Sequence, residues 1–439
     1  MIEQLRREFL AGFHLQAYQE LLVELERTCG TPIRFRVAET PVFFPSSLLE
    51  NLAETGRELT ERLLASQPYL AAAEQEIPPG YRVAGRSLHP NFMTADFALV
   101  RGRSGELEPR LVELQAFPSV FGYQAELAKG YRRAFGLDPN LEIFLSGLTE
   151  EGYWNLLRET IVGRHDPSEV VLTEVDPENQ KTLPDFRVTA HRLGIAVVDI
   201  TRLEAVGRRL AYRDASGRQV LIRRIYNRAI ADEMMARQIR PGVDLEAEWD
   251  VEWAGHPNWY FRVSKFALPW LSGTVSGGDV KAHACVPPAA FLDDFLGGAG
   301  YLALQQAGVP LPELTQSETV FEHLLLKPLY SFAGKGIVFS PTLAELQSIS
   351  PKERRQYLVQ QRMQFEPTVE TPAGRTQAEI RILYAWPEDG AMTAAISLVR
   401  LGRGRMMGVD HNRDLEWVGA SAAFGVRNAQ KLEKSTPFR

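Results

Sequence analysis

In the last third of the chain, Leu324-Leu325-Leu326-Lys327-Pro328 is followed closely by Ser331-Phe332-Ala333-Gly334-Lys335-Gly336. An apolar run that ends in a lysine reads as a buried strand delivering one ammonium group to an interior surface. The small, glycine-containing stretch behind it offers backbone N–H groups able to close over phosphate oxygens. The spacing is not that of GxxxxGK[ST], so phosphates held here would lie under a flap and not at a helix N-terminus. A plain hairpin turn carrying a surface lysine is the other reading of the same residues.

Oxygen ligands gather earlier in the chain. Asp96 lies in FMTADFALV, and Glu113 and Gln115 lie in PRLVELQAF. Glu113 and Gln115 are two apart, so on a strand both point the same way, and a paired Asp96 would complete an oxygen cage. Magnesium takes such hard ligands and keeps water or phosphate in its other positions. A solvated hairpin face is the alternative, against which LVELQAF interrupts an apolar strand with polar residues that need partners if buried.

Basic residues form a third group: Arg223, Arg224 and Arg228 in LIRRIYNR, and Arg400, Arg403 and Arg405 in VRLGRGR. Guanidinium forks suit carboxylate and phosphate oxygens, although plain surface arginines are the commoner case. Lys265, in VSKFALPWL, stands on an apolar stretch and needs an anionic partner if it is buried, a role a nucleotide phosphate would fill. YLVQQRMQF reads as a strand whose edge amides and carbonyls could recognise adenine, and Glu379 in AEIRILY as an acceptor for ribose hydroxyls. There is no HExxH or GxSxG pattern, and His411, between Asp410 and Asn412, is explained equally by a polar site or an ordinary loop. With no nucleophile assigned, direct phosphoryl transfer is the expected chemistry.

The elements that must position these residues are legible in outline. Leu5, Phe9, Phe13, Leu21, Leu22 and Leu25 recur at near-helical spacing up to Gly30, and Ser47 with Glu50 predicts a capping box opening a helix toward Leu64. Residues 91–115 read as a hairpin around RGRSGELE. From about 140 to 230, LEIFLSGL, EVVLTEV, GIAVVDI and QVLIRRIYN alternate with helix-length stretches, which predicts a parallel, Rossmann-like α/β unit without its glycine fingerprint. A mixed α+β region follows, and VRNAQKLEKSTPFR reads as a frayed tail. The expected organisation is a helical region (1–80), the hairpin (81–128), the Rossmann-like unit (129–235), a lysine-bearing lobe (236–425) and the tail (426–439).

At about 150 residues per domain, 439 residues allow two to three domains of an α/β (α+β) protein. The 49 basic and 55 acidic side chains leave a formal charge of -6, and no local basic patch stands out, so no nucleic-acid partner is expected. Cys29 and Cys285 have no CxxC or Cys/His spacing, which argues against a disulfide framework or a structural zinc. The N-terminus is charged and helical in pattern, and no uninterrupted apolar stretch approaches about 18 residues. A soluble, cytoplasmic chain with no membrane partner is expected.

The order of the pieces, oxygen ligands first, α/β unit next and lysine clamp near the end, resembles that of the circularly permuted ATP-grasp ligases. These include eukaryotic glutathione synthetase and bacterial glutathionylspermidine synthetase. VELQAFPSVFG is similar to their Glu-x-Asn strand and its turn, and LLLKPLYSFAGKGI to their lysine and glycine-rich lid, within a span of about 85–425. The resemblance implies an ATP-grasp fold, circularly permuted, with an inserted Rossmann-like substrate subdomain and N-terminal helices. It implies ATP and Mg2+ as cofactors: Asp96, Glu113 and Gln115 on the metal, Lys265 and Lys327 on the phosphates, and Ser331, Gly334, Lys335 and Gly336 in the lid. Gln361, Arg362, Met363 and Glu379 would surround adenine and ribose, with Arg228 in the acceptor pocket and Arg400 near the second substrate.

The activity so implied joins a small-molecule carboxylate to an amine, which could be an amino acid, a polyamine or a short peptide, through an acyl phosphate, releasing ADP and phosphate. Three departures stand out: Gln115 where Asn is usual, Thr94 where an arginine is usual, and Ser331 where some relatives carry a metal-binding glutamate. They motivate a second reading, an ATP-binding sensor or scaffold without turnover. A small-molecule kinase is a third. The oligomeric state is not fixed by the sequence.

Overall fold

A computed structural model describes residues 1–85, 87–102, 104–314, 316–331, 336–408, 412 and 414–427. The N-terminal apolar period is divided between α1 (Glu3–Gly12) and α2 (Leu15–Cys29). The break falls at His14, whose extended backbone lets its Nδ1 accept the Ala17 N–H at 3.2 Å. Gly30 ends α2 at φ 64, a left-handed conformation that glycine adopts without strain.

Next come β1 (Val42–Pro45), α3 (Ser46–Ala65) and α4 (Gln67–Gln75). The expected capping box does not form. The helix starts two residues earlier, straight after Pro45, with no side-chain cap. Hairpin strands β2 (Phe92–Arg101) and β3 (Leu107–Gln115) fall where the alternation predicts them, followed by α5 (Phe121–Ala134) and α6 (Glu150–Ile161).

The α/β unit contains β4 (Val170–Glu174), α7 (Leu183–Leu193), β5 (Ala196–Asp199), a small antiparallel sheet of β6 (Glu204–Val206), β7 (Arg209–Arg213) and β8 (Gln219–Ile222), and then β9 (Arg224–Asn227) and β10 (Glu252–Ala254). Strands β10-β9-β4-β5 form a parallel sheet in that order. Two expectations are corrected here. LEIFLSGL is not a strand of this sheet; it makes single bridges, Glu142 to Gly425 and Phe144 to Ile396, onto the large sheet. QVLIRRIYN is cut at Arg223, with Ile222 and Arg224 in different sheets.

The C-terminal part supplies β11 (Ala289–Phe291), β12 (Leu324–Pro328), β13 (Val338–Phe339) and β14 (Tyr357–Gln361), which pair antiparallel in the order β11-β14-β12-β13. It then returns to the large sheet through β15 (Gln377–Ala385), β16 (Thr393–Gly402) and β17 (Gly419–Val426). That sheet has the order β1-β17-β16-β15-β2-β3 and brings together segments from both ends of the chain.

One face of the large sheet is mainly apolar, with Ser397 and Ser421 as buried exceptions. Ala95, Phe97, Leu99, Ile380, Ile382 and Val399 pack there against Leu49, Leu52 and Leu59 of α3. The other face is divided. Its β16–β17 side, with Ile396, Leu398 and Ala422, is covered by Phe121, Ala125 and Ala128 of α5. Polar residues occupy the remainder, uncovered by that helix.

Gly419 opens β17 at φ 121, and a Cβ there would lie 2.5 Å from the Arg36 carbonyl oxygen, a backbone atom unable to withdraw cheaply. We expect Gly419→Ala to lower unfolding stability by about 2 kcal/mol, read from urea denaturation.

Candidate functional site

A cavity of about 1720 Å³ opens between the polar part of the large sheet, the β12 lobe and the C-terminal ends of β4 and β9. Ligand sites in parallel α/β sheets form at such carboxyl ends. Glu174 ends β4, and Arg228 immediately follows β9.

The large sheet contributes two adjacent cross-strand rows. Arg381, Asp96 and Glu113 are register partners across β15, β2 and β3, and Arg400 of β16 pairs with Glu379 of β15. Strand periodicity then sets Gln115 on the face of Glu113. The register skips Val112 between Glu113 and Leu111, a bulge of the kind that re-aims side chains beside functional sites.

Asp96 is 2% exposed, and both of its oxygens are taken. Arg381 grips it with Nε to Oδ1 at 2.6 Å and a second nitrogen to Oδ2 at 2.7 Å, and Arg400 bridges from Asp96 to Glu379. Burial works to raise the Asp96 pKa, but the two guanidinium groups prevail and hold it below the usual carboxylate range. Glu379, with burial dominant, is pushed up.

The lobe contributes Lys327. The residue is 5% exposed and its ammonium donates to Gln360 Oε1 at 2.7 Å; burial above all pulls its pKa down to about 8. Lys265 approaches from the segment after residue 262 and donates to the Ser331 carbonyl at 3.1 Å. Its Nζ also lies 3.3 Å from Glu113 Oε1, close enough for charge attraction but without hydrogen-bond alignment, so that this oxygen remains buried and unbonded.

Several donors of residues lining the cavity likewise lack a partner among the described residues: Ser331 Oγ, Arg400 Nε and one terminal nitrogen of Arg403. Buried polar groups are seldom left so, and a run of orphan donors calls for an acceptor that the described residues do not supply. The guanidinium groups of Arg362 and Arg405 lie over the Phe339 ring, 5.8 and 5.9 Å from its centroid, and add positive charge to the same wall.

The cavity therefore brings together Asp96, Glu113, Gln115, Arg228, Lys265, Lys327, Ser331, Arg362, Met363, Glu379 and Arg400 of the expected set. Gln361 does not line it; its N–H goes to the Pro288 carbonyl at the end of β14. Gly336 also lies off the wall, at φ 80 beside Pro328. Gly334 and Lys335 fall outside the described residues.

Arg228 is largely committed to the chain, with a hydrogen bond to the Ser119 carbonyl and an ion pair at 3.2 Å to the fully buried Asp185. Arg381 is the main residue that the sequence reading passed over. For a divalent ion the donor set fits in part: Glu113 offers an unbonded oxygen, whereas Asp96 is occupied. Among the described residues no group of three His, Cys, Asp or Glu side chains converges as a ready-made metal shell.

No protein-family model matches the chain, and no curated protein sequence matches it. Among solved structures, the apo form of GSS30, a glutathione synthetase like-effector from Globodera pallida, aligns over 94% of this chain and 98% of its own, with a TM-score of 0.53 at 12% identity. A provisionally named gamma-glutamylcysteine synthetase from Methylobacillus flagellatus KT aligns over 83% of this chain and 85% of its own, with a TM-score of 0.35 at 13% identity. The first likeness is one of fold: nearly the whole chain is arranged like a glutathione synthetase-like protein. Among the described residues, no helix is long and apolar enough to cross a membrane.

Proposed function

We propose that this chain is a circularly permuted ATP-grasp ligase that couples a small-molecule carboxylate to an amine with release of ADP and phosphate. The observation that carries the reading is the single cavity in which Lys265, Lys327 and the arginine wall face Glu113 and orphan hydrogen-bond donors. That donor excess fits a polyphosphate. Bound ATP would supply the phosphoryl group that activates the carboxylate, and magnesium would neutralise charge on its phosphates.

The chain's own residues have separable tasks. Lys327 and Lys265 hold phosphate oxygens in a desolvated site, where each charge counts for more than it would in water. Glu113 Oε1, which accepts no hydrogen bond and has the Lys265 ammonium 3.3 Å away, is the oxygen a metal would take. Arg400, whose Nε is buried and makes no hydrogen bond to the described residues, would supply the donor that a developing oxyanion needs. The acidic end of the cavity, with Glu174, Asp176 and Asp232, suits the amine, and burial lifts the Glu174 pKa to about 8, the range of a group able to accept or release a proton near neutrality.

The test is ADP release from magnesium-ATP with pooled amino acids, polyamines and short peptides, using Lys327→Ala as the blank. Release that needs a pool and yields a hydroxamate with hydroxylamine is expected, because hydroxylamine traps an acyl phosphate. AMP and pyrophosphate as products would sink the mechanism, and a stable phosphate ester without hydroxamate would make the protein a kinase. A second reading, ATP binding without turnover, is favoured by the full occupation of Asp96 by guanidinium groups. Tight ATP binding with no release in any pool would select it.

A further inference from the structure

Asp96 has the type and position of a metal ligand but not the free valence of one. Each of its oxygens accepts a charge-assisted bond, Oδ1 from Arg381 and Oδ2 from both Arg381 and Arg400. The arrangement is set by the sheet itself, since Arg381 is the register partner of Asp96 and Arg400 stands one strand further, beside Glu379. Displacing two guanidinium groups from a carboxylate that is 2% exposed would leave a buried charge cluster uncompensated, a change that costs several kcal/mol. Glu113, directly across from Asp96, carries an oxygen that accepts no hydrogen bond and faces a single cation, the Lys265 ammonium at 3.3 Å.

We propose that Asp96 is a positioning residue and not a metal ligand: it fixes Arg381 and Arg400 as a paired guanidinium clamp for an anionic group of the ligand, and any divalent ion that accompanies the nucleotide is left to Glu113. The inference rests on the nucleotide-binding reading above.

The experiment is a binding cycle that needs no turnover. Affinity for ADP is measured by calorimetry with and without Mn2+, and the ratio of the two dissociation constants gives the metal coupling. For Asp96→Asn we expect metal-free ADP affinity to fall about fivefold with the ratio unchanged, because the clamp is disordered while the metal site is intact. For Glu113→Gln the ratio should collapse toward one while metal-free affinity holds or improves. A collapsed ratio in Asp96→Asn would overturn the proposal and leave nucleotide binding standing. No ADP binding by the wild type would overturn the nucleotide reading, and this proposal with it. Should Asp96→Asn fail to fold, Arg381→Gln decides: reduced metal-free affinity with an unchanged or larger ratio supports the clamp, and a reduced ratio overturns it.

Discussion

Replacing Lys327 by methionine should weaken ATP binding by a few hundredfold, about 3 to 4 kcal/mol, while the protein remains folded. The size follows from burial: removing one partner of a desolvated charge pair costs far more than removing a surface lysine. Methionine keeps the length of the stem, so the packing of β12 changes little. The wild type should also show a pH signature. With the free-state pKa near 8, ATP affinity should be flat below that pH and fall above it as the ammonium loses its proton. Stability of the ligand-free protein should move the opposite way. An unfolded lysine keeps its proton to about 10.5, so between about 8 and 10.5 the unfolded state holds more protons and folding gains as pH rises. Calorimetry and urea unfolding across this window test both signs, and Lys327→Met should abolish both trends.

Arg228→Met should cost about 3 to 5 kcal/mol of folding stability at neutral pH, because it strands Asp185, a carboxylate with no exposure, without its cation. Burial already raises the Asp185 pKa against the pull of Arg228, and losing that arginine raises it further. A carboxyl whose folded pKa lies above its unfolded value stabilises when protonated and loses that contribution as pH rises. The deficit should therefore be larger at about pH 8 than at about pH 5. The double variant Arg228→Met with Asp185→Asn should recover part of the loss. Equal stability of wild type and Arg228→Met would mean that the arginine is not a structural strut and return it to the substrate pocket.

What the sequence disclosed was whatever alternation or an apolar run could mark. Lys327 was legible because three leucines precede it, and Glu113 with Gln115 because a polar pair interrupts an apolar strand. The same period of two applied to AEIRILY sets Arg381 on the face of Glu379, yet its partner lies 285 residues away, a distance over which no local pattern speaks. β17, GASAAFGV, was missed for a different reason. It is buried along its whole length but built mainly of small residues, which suit close approach by its neighbours and leave no hydrophobic signature. QVLIRRIYN reads as one strand because a turn at Arg223 requires neither glycine nor proline; the division between sheets is a tertiary decision.

The cavity draws its two kinds of wall from different sorts of backbone. Apart from Lys265 and Arg362, the charges assigned to nucleotide stand in ladder positions of β2, β3, β12, β15 and β16, where a one-residue change in register would reverse every side chain. The opposite rim, with Asp176, Asn179, Arg228, Asp232 and Glu233, is carried by short connections beyond β4 and β9 that include a 3-10 turn at Pro177–Asn179 and a six-residue helix at Ala231–Ala236. Loops tolerate insertion and exchange where ladders do not. The protein is thus divided into a part that resists redesign and a part that invites it: on the proposed function, grafting new segments at 175–182 and 229–237, which spares the Arg228–Asp185 pair, is the route to a different acceptor.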